Sequence, residues 1–170
     1  MEPQPDTVIV VYIPTKGPYL SQFLGLYYSV ACKTELYKRF EFLVAGPAEI
    51  ESKLPNNHCT FVAVDELSKQ DKYRYVYSNN QYGYVDSFAP FVHDECIDVI
   101  KRYKYCLRLD VDTFLCNGII DVTPNENEIY VGNAGYSSET ARVKLPEIIS
   151  NMGLPDQNIH NVGSTWFATA

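Results

Sequence analysis

Tyr105-Cys106-Leu107-Arg108-Leu109-Asp110-Val111-Asp112-Thr113-Phe114 is the stretch on which both fold and chemistry turn. An apolar run with the length of a short strand ends in two carboxylates one residue apart. In open α/β sheets, ligands bind in the crevice beyond the carboxyl ends of the strands. Asp110 and Asp112 therefore project to where a ligand would sit. Neighbouring carboxylates repel unless a cation or a proton lies between them. Hard divalent cations such as Mg2+ or Mn2+ take oxygen ligands, often only one or two of them from protein. A diphosphate completes such a shell, so this pair suits a metal–nucleoside diphosphate. An Asp-x-Asp after a strand is also ordinary turn chemistry. The flanks Cys106-Leu107, Leu109 and Phe114-Leu115 set the pair near the core. Uncompensated burial of carboxylates there costs several kcal/mol, which favours a bound cation over a turn.

Outward from this stretch, strands and helices alternate. Thr7–Ile13 (TVIVVYI) is a β-branched run with no polar alternation, the pattern of a strand buried on both faces. Pro14-Thr15-Lys16-Gly17-Pro18 ends it. Leu20, Phe23, Leu24, Tyr27, Tyr28 and Ala31 recur at helical spacing over 19–32. Further strands are expected at 40–44, 60–64 and 129–131, with a short helix at 48–53. One long helix is expected over 86–103, with Asp86 as its N-cap. A helix is expected at 139–151, kinked by Pro146, and a strand at the sheet edge over 160–167. The Tyr-rich stretch 69–84 reads as a long loop. Tyr73, Tyr75 and Tyr77 alternate as a half-buried strand would, and could equally stack on a sugar or base. This order predicts an α/β fold with a mostly parallel central sheet flanked by helices. The domain reading is a disordered terminus at 1–7 followed by a single domain over 8–170.

Composition removes several function classes. The 170 residues carry a net charge of −7, against a nucleic-acid partner. Apolar residues make up 46% and charged residues 21%, enough for a core and unlike a disordered chain. No apolar stretch approaches the roughly 20 residues of a membrane span. Five cysteines without a C-x-x-C pair argue against a zinc ribbon and read as reduced, mostly buried thiols. Neither G-x-G-x-x-G nor a P-loop motif is present. The N-terminus has no signal-peptide pattern, so the compartment reads as cytoplasmic by default.

The ordered set of motifs resembles nucleotide-sugar-dependent glycosyltransferases of the GT-A type. Val8–Thr15 is similar to the opening strand of that family. Arg108–Phe114 resembles its metal-binding D-x-D. His160-Asn161-Val162-Gly163-Ser164-Thr165-Trp166 resembles its Asn-x-Gly strand. The combination looks closest to a poorly characterised eukaryotic group of that family. The resemblance implies a Rossmann-like GT-A fold, a nucleoside-diphosphate sugar donor, Mn2+ or Mg2+, and an unidentified glycan, protein or lipid acceptor. It implies that Asp112 ligates the metal and that Asp110 contacts the metal through water or the donor ribose. Pro14, Thr15, Arg108, Asn161 and Gly163 would contact the donor, and Tyr82, Tyr84 and Asp86 lie where members of that family often contact it. Family members carry acceptor-side residues after the Asn-x-Gly strand, so the chain resembles a donor-binding portion, incomplete at its C-terminus. A Golgi location is implied if an N-terminal anchor lies outside this sequence.

Other readings stay open at this stage. Arg108 could serve a structural ion pair, Lys16 could simply face solvent, and Asn161-Val162-Gly163 could be a strand bulge. His58, His93 and His160 show no ligand spacing, and only His160, beside the Asn-x-Gly, invites a test. A catalytically inactive nucleotide- or metal-binding fragment is the main alternative to an enzyme. A metal-dependent nucleotidyltransferase shares the metal logic. An aspartyl phosphatase fits less well, because its D-x-D-x-[T/V] places the Thr one position later than Thr113.

Overall fold

The computed structural model describes residues 4–15, 17–67, 84–133 and 162–170. Among them a six-stranded sheet has the order β3-β2-β1-β4-β6-β5. Strands β1 (Thr7–Tyr12), β2 (Phe40–Gly46), β3 (Cys59–Ala63) and β4 (Tyr105–Arg108) pair in parallel. Strand β6 (Val162–Thr169) runs antiparallel between β4 and β5 (Ile129–Asn133). The sheet is therefore mixed and the fold is α/β. The 160–167 segment is an interior strand rather than the expected edge. Local pattern cannot show this, because the two partners that cover its sides lie elsewhere in the chain.

The continuous apolar runs behave as their composition dictates. Side chains alternate across a strand, so burying every residue requires cover on both faces. Ile9, Val11 and Ile13 join Phe40, Phe42 and Val44 under helix α1 (Tyr19–Ala31), which contributes Phe23, Leu26, Tyr27 and Val30. Val8, Val10 and Tyr12 join Leu43 and Ala45 on the other face. That face is covered by a 3-10 turn (Tyr84–Phe91) and by helix α3 (Asp94–Ile100) through Ala89, Cys96, Val99 and Ile100. The single helix expected over 86–103 is thus two pieces. Pro90 lies inside the first, has no amide to donate, and ends regular helical bonding; the α-helix restarts after His93. Asp86 consequently sits within the 3-10 turn and does not cap an α-helix. On α1 the buried face is rotated from the expected stripe, leaving Tyr28 57% exposed.

Two short elements lie outside the sequence reading: α2 (Thr34–Arg39) and a 3-10 turn at Asn117–Asp121. Arg39, at the end of α2, joins them. Its guanidinium donates to the carbonyls of Ile119 (2.9 Å), Ile120 and Val122 (2.8 Å). It also lies 3.5 Å from the Asp6 carboxylate and over the rings of Phe40 and Phe167. Upstream, the Leu115 amide donates to the Ser29 hydroxyl of α1 at 3.0 Å. Lys33 Nζ donates to the Leu115 carbonyl at 2.7 Å. The chain leaving Asp112 is therefore fastened to α1 and α2 at three places.

Thr7 belongs to β1 rather than to the terminus expected over 1–7. Thr7 is fully buried as the first residue of β1, and the Asp6 carbonyl accepts from the amides of Lys104 and Tyr105. All five cysteines are free: Cys96 and Cys106 are buried, Cys59 is half-buried, and Cys32 and Cys116 are exposed. The expectation of mostly buried thiols thus fails at the last two. The tyrosine-rich stretch up to Tyr82, the 139–151 helix and His160 lie outside the described residues. No described helix is long and apolar enough to cross a membrane.

Candidate functional site

In this strand order the direction in which successive strands are added reverses between β1 and β4. β1 leads outward to β2 and β3, whereas β4 returns on the opposite side of β1. The crossover segments on either side of that point leave a gap beyond the strands' carboxyl ends. A cleft of about 630 Å³ lies there. Val10, Tyr12 and Pro14 come from β1 and its exit; Arg108 through Asp112 come from the end of β4. Pro18, Tyr19 and Gln22 come from the start of α1, and Asp86 and Ser87 from the 3-10 turn. Gly17 makes the approach of α1 possible. Its φ is +101°, and a Cβ there would come within 2.6 Å of the Tyr19 ring.

At the end of β4, alternation continues past the last paired residue. Leu109 and Val111 are buried in the core, while Asp110 and Asp112 are exposed. The backbone is thus anchored in the core, but the carboxylates are not: Asp110 is 48% exposed at its side chain. The desolvation argument for a bound cation therefore does not apply here. What remains is their position in the cleft. The turn at 110–113 is closed by the Thr113 amide (3.2 Å) and hydroxyl, both donating to the Asp110 carbonyl. Turn closure thus employs the Asp110 backbone and leaves its carboxylate for another partner. That partner is Arg108, whose Nη1 lies 3.0 Å from Asp110 Oδ1. Arg108 is only 3% exposed. It also donates to the Ser87 hydroxyl at 3.2 Å and lies over the Phe88 ring. A buried guanidinium so engaged offsets part of the cleft's negative charge and fixes the Asp110 rotamer.

Not every residue singled out in the sequence converges on the cleft. Pro14, Asp86, Arg108, Asp110 and Asp112 do. Thr15 is exposed and is not among the residues lining the cleft. Gly163 lies on β6; because β6 is antiparallel to β4, its first residues lie at the same end of the sheet as the end of β4. Asn161 and Lys16 lie outside the described residues. Tyr12, Tyr19, Gln22 and Ser87 were missed. For Tyr12 a signal existed: it shares strand parity with Val8 and Val10, two residues before the break at Pro14. Its hydroxyl is buried without a hydrogen-bond partner among the described residues. Burial pushes its ionisation up, reinforced by the charges of Asp86 and Glu66.

Two carboxylates on a polar wall fit a hard cation that keeps water or phosphate ligands, rather than a closed all-protein cage. Among the described residues no group of three or more His, Cys, Asp or Glu side chains converges. Asp112 has no ion pair among those residues, whereas Asp110 is held by Arg108. Asp112 is therefore the carboxylate better placed to take a cation.

A six-stranded α/β sheet with an acidic cleft at its reversal point defines the class of protein. The chain belongs to a family described as a domain of unknown function (DUF7164), which matches residues 4–170. No curated protein and no solved structure matches it.

Proposed function

We propose that the cleft binds a nucleoside-diphosphate sugar with a divalent cation, Mn2+ or Mg2+, and that the protein is a glycosyltransferase of the GT-A type. The observation that carries the proposal is the coincidence of two independent features. The Asp-x-Asp pair falls at the sheet's reversal point, and that point holds a cleft large enough for a nucleotide. The cation would neutralise charge developing on a departing diphosphate. Asp112 would hold it, and Asp110 would orient the donor from a rotamer set by Arg108. Pro14, Tyr12 and Tyr19 would form the apolar wall. The fastening of residues 115–122 to α1 and α2 would keep the carboxylates in place through a binding cycle.

The test is a thermal-shift panel of nucleoside diphosphates with and without Mn2+, followed by donor turnover. Binding at 100 times the dissociation constant stabilises by about 2.7 kcal/mol. We expect a Mn2+-dependent rise in melting temperature that Asp112→Ala abolishes. No shift with any nucleotide, or an unchanged shift in Asp112→Ala, would remove the donor-site reading. Stabilisation without sugar transfer or donor hydrolysis would support the alternative of a binding module.

A further inference from the structure

Tyr12 lines the cleft, and the proposed metal site leaves its polar group unused. It is 9% exposed, and its hydroxyl is buried with no hydrogen-bond partner among the described residues. A buried hydroxyl without a hydrogen bond is costly, and each one in a native structure calls for an explanation. The neighbouring strand residues, Val8 and Val10, are wholly apolar and pack the same face with no polar atom at stake. A phenylalanine would fill the position equally well if packing were the only requirement.

We propose that the Tyr12 hydroxyl is a recognition donor for a neutral oxygen acceptor on the ligand, a carbonyl or hydroxyl group remote from the phosphates. The proposal rests on the cleft being a nucleotide-sugar site and adds which end of the ligand lies at Tyr12. The surroundings decide against phosphate. The charges of Asp86 and Glu66 bear on the hydroxyl and would repel an anionic oxygen, while favouring the protonated, donating phenol. Arg108, the buried cation of the cleft, is spent on Asp110 and Ser87. The cleft is thereby divided into a charged end at Asp110 and Asp112 and a neutral-acceptor end at Tyr12. A ligand oxygen that reaches the hydroxyl completes its missing hydrogen bond.

The experiment titrates wild type and Tyr12→Phe with UDP, UDP-glucose and inorganic diphosphate, each with Mn2+, and melts both proteins without ligand. Losing one hydrogen bond predicts about tenfold weaker binding of the ligand that bears the acceptor. Diphosphate affinity stays unchanged, and the ligand-free variant melts no lower than wild type. Weakening of both UDP and UDP-glucose puts the acceptor on the nucleoside; weakening of UDP-glucose alone puts it on the transferred sugar. Equal binding of all three ligands by both proteins overturns the proposal, as does an equal loss on diphosphate or a ligand-free variant that melts lower. If wild type binds none of the three, the donor-site reading fails and this inference falls with it.

Discussion

Replacing Arg39 with alanine should unfasten the segment that follows the cleft carboxylates. In the native fold its guanidinium serves three consecutive-turn carbonyls, those of Ile119, Ile120 and Val122. Hydrogen bonds from a charged donor contribute about 1.5–3 kcal/mol each in net terms. The isoleucines and Val122 are only half-buried, so water can replace part of that loss. The Asp6 contact is discounted to about 0.5 kcal/mol, because that carboxylate is 47% exposed. Loss of the side chain's cover over Phe40 and Phe167 adds about 0.5–1 kcal/mol. Together these give about 3–5 kcal/mol. At about 2–4 °C per kcal/mol for a chain of this size, the melting temperature falls by roughly 6–20 °C. Arg39→Lys should recover a minority of the loss, since an ammonium cannot span the carbonyls as a planar fork does. The assay is thermal or urea unfolding of the three proteins. A drop below 1 °C for Arg39→Ala, or full recovery by lysine, would refute the clamp.

Other outcomes follow from single contacts. Gly46→Ala should destabilise by about 1–3 kcal/mol or more in urea unfolding, because its Cβ would meet the Ile13 carbonyl and the end of Ile50. Iodoacetamide should label Cys32 and Cys116 in the native protein and leave Cys96 and Cys106 until it unfolds, as peptide mass spectrometry would show. Burial pushes the Cys96 thiol up to about 11 and the Cys106 thiol up to about 12, from 9.0. Above pH 9 the unfolded chain releases these protons while the folded one holds them, so stability should fall toward pH 11. Each thiol contributes at most about 1.4 kcal/mol per pH unit, and Cys96→Ala with Cys106→Ala should flatten that slope.

The strands most legible in the sequence were those whose residues are buried on both faces. β1 and β2 needed only their β-branched and aromatic runs. The site was legible where strand direction decides it: the carboxylates after β4 had to emerge beyond the sheet. Position along the chain said nothing of Ser87; Asp86, which the resemblance sets near the donor, is brought over β1 with it by the 3-10 turn. The two-piece 84–100 segment was misread because its apolar spacing runs on unbroken through Pro90. Yet Phe88 and Val92 are about half exposed and do not belong to one buried stripe. α2 has a single buried residue, Leu36, too little for a periodic signal. The register Arg108↔Trp166 joins residues far apart in sequence, and no local pattern encodes it.

The placement of β6 also sets an order of assembly during synthesis. β1 to β4 can pair in parallel as they leave the ribosome, but the free side of β4 then offers its unpaired backbone groups until residues 162–169 have been made. β5 is translated earlier than β6 yet, among the described residues, pairs with none but β6, which lies between it and β4. A nascent chain paused after Asn133 therefore carries both a bare strand edge and an unplaced apolar strand, the state most prone to pair with another chain.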